Sequence, residues 1–311
     1  MTTAWLTHPS CLLHDMGDYH PECPERLTAI EDRLARDAAL SVALRRETAP
    51  AATREQIERA HDARMVDALE RASPATGLRQ IDPDTSMNPH TLEAIRHAAG
   101  AAVRATDLVA SGEVDNAFCA VRPPGHHAEH ARAMGFCLFN NVAIGALHAL
   151  EVHGFERVAV VDFDVHHGNG TEDIFRDDPR VMMVSTFQHP LYPYSGVDGR
   201  SERMVNVPLP AGADGRAFRS AVEREWIPAL DRFAPDMIFI SAGFDAHRDD
   251  QLASLALLED DYDWVTARLM EAAGRLCAGR IVSVLEGGYS LPALSRSVMV
   301  HVRRLAGLSP A

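Results

Sequence analysis

The chain has 311 residues, of which 46% are hydrophobic and 24% are charged, and this ordinary globular composition excludes disordered, collagen-like and disulfide-scaffold proteins. All 30 basic residues are arginine, and with 44 acidic residues they give a formal net charge of −14, so we expect no binding to nucleic acid or to an anionic membrane surface. The absence of lysine excludes Schiff-base chemistry and a Walker-type phosphate lysine.

Other general features of the sequence favour a single domain, 1–311, in the cytoplasm. No run reaches the roughly 18 apolar residues that a membrane span needs. The first residues lack the basic and apolar regions of a secretion signal. The five cysteines form no CxxC pair, which argues against a disulfide framework or a zinc ribbon. No repeat or linker-like segment divides the chain.

The predicted elements alternate between helices and buried strands over most of the chain. Pro24 is placed to open the first helix. In chain order we predict helices 24–46, 54–72 and 90–110, strand 117–121, helix 141–152, strands 158–163 and 181–187, helix 216–233, strand 237–242, helix 260–277, strand 281–286 and helix 291–306. This alternation predicts an α/β fold with a central, mostly parallel sheet and helices on both faces.

Side chains that can carry chemistry follow four of the predicted strands. They are His126 and His127 after 117–121, Asp164, His166, His167 and Asn169 after 158–163, Asp245 after 237–242, and Tyr289 after 281–286. Ligands of parallel sheets bind beyond the carboxyl ends of the strands. We therefore expect these side chains to meet at one edge of the sheet.

A metal site is predicted from the spacing of three residues at the end of strand 158–163. Asp162, Asp164 and His166 stand at i, i+2 and i+4, which places them on one side of an extended chain. Asp164 and His166 can then share an ion, and Asp245 would complete a three-ligand set with an open position, as in catalytic zinc sites. The alternative is a capped turn whose carboxylates accept backbone hydrogen bonds.

Near such an ion, the remaining side chains have functional interpretations as well as structural ones. His126 and His127 can transfer protons near neutral pH, and Tyr289 can stabilise a developing oxyanion with its phenol. The alternatives are a solvated or structural histidine pair and a tyrosine that only packs.

Of three weaker features, the first two are interpreted structurally and the third as a candidate border of the site. Cys137 is expected to be a small buried residue, and 259–261 to be an acidic helix start. His8, His14 and His20 fall in a loop that is a candidate border of the site.

Six motifs in this order resemble the histone deacetylase superfamily of zinc amidohydrolases, from about residue 7 to residue 305. They are HPECPERL (20–27), RPPGHHAE (122–129), GFCLFNNVA (135–143), VDFDVHHGNGTEDIF (161–175), SAGFDAH (241–247) and LEGGY (285–289). The resemblance implies an arginase/deacetylase-like fold and hydrolysis of an N-acyl amine.

By position in the motifs, the resemblance also implies roles for individual residues. The zinc ligands would be Asp164, His166 and Asp245. His127 would be the general base and acid and His126 its electrostatic partner, while Tyr289 would polarise the acyl carbonyl. Asp162 and Asn169 complete the implied catalytic set.

A substrate tunnel and a second ion follow from the same resemblance. Phe136 and Tyr192 match the tunnel walls, Gly135 its floor, Leu252 its rim and Asp84 a rim aspartate that holds the substrate backbone. A structural potassium ion is implied near Asp162, Asp164, His166, Ser185 and Thr186.

Asn169 and Glu286 stand where class I enzymes have an aspartate and a glycine, so the chain is similar to the class II and bacterial amidohydrolase branch. Leu252 stands where polyamine-selective relatives have a glutamate, which weakens an acetylpolyamine deacetylase interpretation without removing it.

The leading hypothesis is a zinc-dependent deacylase that acts on acyl-lysine or a related small N-acyl amine, as a free molecule or in a peptide. Fe(II) or Co(II) in place of zinc, and assembly into a homo-oligomer, stay open. One alternative is a two-metal ureohydrolase, although Gly168 follows His167 where a bridging carboxylate would be needed. The other is a silent acyl-group binder.

Overall fold

The computed structural model describes residues 1–198 and 200–309, and its centre is an eight-stranded sheet in which every neighbouring pair of strands is parallel. The strands are β1 (Thr3–Thr7), β2 (Leu44–Thr48), β5 (Asn116–Cys119), β6 (Val158–Asp162), β7 (Val181–Gln188), β8 (Met204–Leu209), β9 (Met237–Ala242) and β10 (Ile281–Leu285), and they lie in the order β2-β1-β5-β10-β9-β6-β7-β8. A separate antiparallel hairpin consists of β3 (Arg79–Asp82) and β4 (Thr85–Met87).

Helices cover the sheet on both faces. They are α1 (Glu25–Ala35), α2 (Ala38–Ala43), α3 (Arg54–Glu58), α4 (Ala63–Ala72), α5 (Thr91–Ala110), α6 (Asn141–Glu151), α7 (Asn169–Phe175), α8 (Gly215–Ala221), α9 (Ile227–Phe233), α10 (Glu259–Leu276) and α11 (Leu291–Leu305). Every residue of β5, β6, β7, β9 and β10 is buried, which requires cover on both sides of these strands. Helices α5 and α6 pack together, and α1, α10 and α11 form a second packed group. The predicted α/β architecture is confirmed.

The five predicted strands are present with ends shifted by no more than two residues, but three strands of the sheet were not predicted. These are β1, β2 and β8. The predicted helix 24–46 is interrupted and too long, because the segment forms the two helices α1 and α2 and its last residues belong to β2. In this edge strand Leu44 is buried and the following positions alternate between partly exposed and exposed, and its arginines reach acidic neighbours across the surface. This edge strand was not predicted, because the composition of the segment favours a helix.

Two other predicted helices are interrupted. Helix 54–72 is divided into α3 and α4, because Asp62 caps a new start by accepting a hydrogen bond from the backbone N–H of Arg64. Helix 216–233 contains a π-helical segment, Val222–Trp226, between α8 and α9. Among the described residues, none of the helices has the length and apolarity that a membrane crossing requires.

Candidate active site

The carboxyl ends of β5, β10, β9 and β6 lie side by side, because these four strands are successive neighbours in the sheet. The loops that follow them carry His126 and His127, Tyr289, Asp245, and Asp164 with His166, respectively. These side chains were predicted to meet at one edge, and the structure brings them together there.

Asp164, His166 and Asp245 form a buried cluster that can hold a metal ion. The Nδ1 atom of His166 lies 3.0 Å from Oδ1 of Asp164 and 3.2 Å from Oδ2 of Asp245. Ligands of a tetrahedral zinc ion lie about 3.3 Å apart when the metal–ligand bonds are about 2.0 Å. These three atoms therefore have the separation and the chemistry that fit zinc.

Hydrogen bonds from the backbone fix the outer oxygens of the two carboxylates. Oδ1 of Asp245 accepts from the N–H of Val165 at 2.8 Å, and Oδ2 of Asp164 accepts from the N–H of Gly287 at 2.9 Å. Oδ2 of Asp245 is buried and, within the described part of the chain, receives no hydrogen bond of good geometry. The capped turn accounts for the outer oxygens and also for Oδ1 of Asp164, which accepts from the N–H of His166 at 2.9 Å, but Oδ2 of Asp245 still needs a cation.

The charges of the buried side chains in this cluster also indicate that it needs a cation. Burial and the nearby Asp164 raise the pKa of Asp245 to about 7. Burial lowers the pKa of His166, but the close Asp164 and Asp245 carboxylates outweigh that effect and raise the pKa to about 10. Two buried carboxylates thus hold one positive charge between them, which is the position that a divalent cation would take.

Gly287 is required by the close approach of the backbone to this cluster. A Cβ atom at this position would lie 2.1 Å from Oδ2 of Asp245 and 2.6 Å from Oδ2 of Asp164. This contact was not predicted from the sequence, in which the glycine pair appears only as part of the LEGGY motif. The doublet after a buried strand was the available signal.

The tandem histidines have different hydrogen-bond partners. Nδ1 of His126 lies 2.9 Å from Oδ2 of Asp162, whereas Nδ1 of His127 lies 2.8 Å from Oδ1 of Asn169. Burial lowers the pKa of His126, but the Asp164 and Asp162 carboxylates outweigh it and hold that pKa well above its usual range. Burial, together with the charges of His126 and His166, holds the pKa of His127 well below its usual range. The ring of His126 therefore favours the charged form, and the ring of His127 favours the neutral form.

Glu286 fixes the turn that carries the two histidines. Its carboxylate accepts hydrogen bonds from the N–H of Gly125 at 2.6 Å, from the N–H of His126 at 3.1 Å and from the hydroxyl of Ser241 at 3.2 Å. Sequence analysis used Glu286 only to place the branch of the family. A carboxylate at the end of an otherwise apolar buried strand was the signal for this supporting role.

A cavity of about 240 Å³ opens onto these groups. It is lined by Asp84, His127, Gly135, Phe136, His166, Leu191, Tyr192, Leu252 and Tyr289. The five residues predicted to bind substrate are all among them. Leu191 was not predicted, because in this segment only its neighbour Tyr192 matches the tunnel of the family. Gly135 has a φ of +59°, and a Cβ there would lie 2.6 Å from Cδ2 of His127.

The N-terminal loop borders the cavity through His20. Its ring packs edge-on against Phe136 with centroids 4.7 Å apart, and its Nε2 lies 3.2 Å from the carbonyl of Asp84. His14 is buried with Nδ1 at 2.9 Å from the hydroxyl of Thr91, away from the lining of the cavity.

Two further predicted positions are placed as follows. Cys137 is buried, and burial raises the pKa of its thiol well above its usual range. Asp162 and Ser185 are direct partners on β6 and β7, and Thr186 follows on β7. All three residues of this strand pair are buried.

Comparison with known proteins places the chain among deacetylases. Residues 20–305 match the histone deacetylase domain family. The chain is 38% identical to the histone deacetylase-like amidohydrolase of Pseudomonas aeruginosa, over 99% of this chain and 80% of that protein. It is 37% identical to the human polyamine deacetylase HDAC10, over 99% of this chain and 48% of that protein. The crystal structure of the HDA15 HD domain matches with a TM-score of 0.92 and 34% identity, covering 100% of this chain and 89% of the other.

Proposed function

This chain belongs to the histone deacetylase family, and we propose that it uses a zinc ion to hydrolyse the amide bond between the acyl group and the amine nitrogen of acyl-lysine or of a related small N-acyl amine. The zinc would be held by Asp164, His166 and Asp245. The observation that carries this proposal is that His166, His127 and Tyr289 line one cavity. A cation site, a base and a phenol donor can therefore reach the same bound amide.

The cavity supports a neutral, elongated substrate. Its side walls are formed by Phe136, Leu191, Tyr192 and Leu252, and Asp84 is the single carboxylate of the lining. An acylated amine has lost its positive charge, so its alkyl chain and amide can enter apolar surroundings at low desolvation cost. The apolar lining therefore favours a neutral acyl-lysine side chain over a side chain that enters the cavity with a positive charge.

The two histidines and the tyrosine supply the proton transfers and the stabilisation of charge. When bound, the ion would polarise the acyl carbonyl and make a water molecule more acidic. His127 is held through Nδ1 by Asn169, so its Nε2 accepts the proton of the attacking water. His126 stays charged beside Asp162, and a histidine then donates the proton that the leaving amine needs. The phenol of Tyr289 donates to the oxyanion of the tetrahedral intermediate.

Asp250 and Arg26 support Tyr289. The N–H groups of Tyr289 and Ser290 donate to Oδ2 of Asp250 at 2.6 and 3.1 Å. The Arg26 guanidinium lies 5.0 Å from the centre of the Tyr289 ring, and its Nε donates to the carbonyl of Gly288 at 2.7 Å. These contacts fix the backbone and the ring, so the hydroxyl keeps a defined position in the cavity.

Our other proposals concern the potassium ion and the domain organisation. The buried pairing of Asp162 with Ser185, next to Thr186, Asp164 and His166, supports a structural potassium site. We propose one catalytic domain over 1–311, since a single sheet includes strands from both ends of the chain, although positions 199, 310 and 311 lie outside the described residues. A cytoplasmic location, homo-oligomer formation and the lack of a nucleic-acid partner stay predictions.

The test is a deacylation assay with zinc-reconstituted protein. The substrate panel contains acetyl-lysine peptides, acetylpolyamines, longer acyl-lysines, free N-acetyl amino acids and guanidino compounds. We expect turnover of acetyl-lysine or another acyl amine at one zinc per chain, lost on chelation and restored by zinc. Guanidine hydrolysis with two manganese ions per chain would establish the ureohydrolase alternative instead, and binding without turnover would indicate the silent acyl binder.

A further inference from the structure

We propose that Glu129 is a positioning residue that fixes the side-chain amide of Asn169 and, through it, the tautomer of His127. The inference rests on the proposed function, because it concerns the residue assigned as the base. It starts from a chain of hydrogen bonds behind the cavity. Nδ2 of Asn169 donates to Oε1 of Glu129 at 2.7 Å, and Oδ1 of Asn169 faces Nδ1 of His127 at 2.8 Å.

The orientation of the Asn169 amide is determined by its neighbours. Nδ2 of Asn169 faces Oε1 of Glu129 and, at 3.4 Å, Sδ of Met134. An ionised carboxylate and a thioether can accept hydrogen bonds but cannot donate them. The –NH₂ group must therefore point toward Glu129 and Met134, and the amide oxygen must point toward His127.

This orientation decides which nitrogen of His127 carries the proton. An amide oxygen only accepts, so Nδ1 of His127 must be the protonated nitrogen and must donate to Asn169. Nε2 then keeps its lone pair, which is the form that a general base needs. If the Asn169 amide were reversed, its –NH₂ would require a lone pair on Nδ1, and the proton would move to Nε2.

The backbone of Glu129 is held firmly enough to determine this contact. Its N–H donates to the carbonyl of Arg132 at 2.9 Å, and its carbonyl accepts from Nδ1 of His61 at 3.0 Å. His61 is buried and is itself held through Nε2 by the N–H of Asn140 at 2.8 Å. Glu129 is only partly exposed and lines a second cavity of about 580 Å³ with Asn169. Its carboxylate thus connects a rigid loop to the buried amide.

The experiment exchanges the acid and the amide across this hydrogen bond. Glu129→Met replaces the carboxylate, a strong charged acceptor, with a thioether of similar length that accepts hydrogen bonds only weakly. Asn169→Asp places a second carboxylate against Glu129, where like charges repel. The double variant Glu129→Gln/Asn169→Asp restores a donor facing an acceptor, and it keeps an acceptor facing His127. Glu55→Met is the matched control, because Glu55 is an exposed glutamate whose partner is Arg59 on the same surface.

We expect each single variant, Glu129→Met and Asn169→Asp, to lower kcat about tenfold or more with KM changed less than twofold, the usual scale for partners of site ligands. The exchanged double variant should return to within about threefold of wild type. Each protein is measured with one zinc bound and with its melting temperature recorded. A variant that merely loosens the fold would lower the melting temperature and would not be rescued by the exchange.

Two results would overturn the positioning role. One is a kcat for Glu129→Met equal to that of wild type and of Glu55→Met. The other is a double variant no more active than Asn169→Asp alone. Failure of the proposed function is recognised separately, since wild-type protein would then turn over no acyl amine at all.

Discussion

Two clusters in this molecule contain the same kinds of metal-ligating side chains but differ in their surroundings. The catalytic-edge cluster consists of Asp164, His166 and Asp245, and the helix cluster consists of Asp107, His148 and His153. In the helix cluster, Oδ1 of Asp107 lies 2.8 Å from Nε2 of each histidine. By distance alone, the helix cluster is the tighter group.

The two clusters differ in what contacts the ligand atoms that face away from the centre of the cluster. A guanidinium nitrogen of Arg59 lies 3.2 Å from Nδ1 of His148, and arginine can only donate. His148 must therefore accept through Nδ1 and carry its proton on Nε2, where a metal ion would need a lone pair. Metal-binding histidines instead donate from the nitrogen that does not bind the ion. The Nε2 proton of His148 therefore points to Asp107, and this nitrogen has no lone pair for a metal ion.

In the catalytic-edge cluster, the hydrogen bonds to the two carboxylates leave Oδ2 of Asp245 available for a cation. Backbone N–H groups hold the outer oxygens of Asp164 and Asp245, and the inner oxygen of Asp245 lacks a good donor among the described residues. The comparison shows that residue types and spacing are insufficient to define a metal site. What the second atom of each ligand contacts decides between a metal site and a hydrogen-bonded cluster.

The largest effect is expected from Asp245→Asn. The variant should lose its zinc and at least about 10³-fold in kcat, since a metal ion supplies several kcal/mol of charge stabilisation in the transition state. Metal content by mass spectrometry and turnover are measured together. Asp107→Asn, in the helix cluster, should keep one zinc and wild-type kcat. Equal zinc loss in both variants would contradict the distinction between the clusters.

The next largest effect is expected from Tyr289→Phe, which removes one oxygen from a residue held by Asp250 and Arg26. We expect kcat to fall by about 10² to 10³, because the hydrogen bond strengthens as the oxyanion forms. KM should change little, since the ground-state amide gains less from this donor. Both constants within a few-fold of wild type would mean that Tyr289 only packs.

Variants of the two tandem histidines test whether their different partners, Asp162 for His126 and Asn169 for His127, give them different roles. His127→Ala should lower kcat by about 10², the usual contribution of a positioned proton-transfer group. His126→Ala should lower it less, because His126 acts through its charge. The kcat values of the two zinc-loaded variants are compared on the best substrate. A near-normal His127→Ala with an inactive His126→Ala would exchange the two roles.

Much of the site could be predicted because its residues follow buried strands, where apolar runs are easy to recognise. The strand 237–242 and the residues Asp164, His166 and Asp245 are of this kind. The edge strand β2 was missed because it pairs on one side only and carries arginines, so its composition resembles that of a surface helix. The local sequence pattern of a segment does not determine which strands it pairs with in the sheet.

Contacts between distant segments could not be read from spacing. Glu129 meets Asn169 across 40 positions of the chain, and Glu286 meets Gly125 across 161. Gly287 is needed only because two carboxylates approach it in the folded chain. The sequence therefore predicts which candidate side chains meet at the sheet edge, while the groups that orient them required the structure.

The smallest effect concerns His61, a buried histidine whose partners, unlike those of His166, include no carboxylate. Its Nδ1 donates to the carbonyl of Glu129 and its Nε2 accepts from the N–H of Asn140, so both nitrogens are satisfied only in the neutral ring. Burial lowers the pKa of His61 to about 4. The unfolded chain binds the proton near pH 6.5, so this contribution to stability is present above pH 6.5 and is lost as the pH falls toward 4.

We expect the His61 contribution to the free energy of unfolding to fall by about 2 kcal/mol between pH 8 and pH 5. His61→Gln provides the comparison, because glutamine offers one donor and one acceptor and does not titrate. The variant should be less stable than wild type at pH 8, and the gap should narrow by that amount at pH 5. Urea unfolding of both zinc-loaded proteins at the two pH values measures the difference, and parallel pH dependences would show that His61 is protonated as easily in the folded protein as in the unfolded chain.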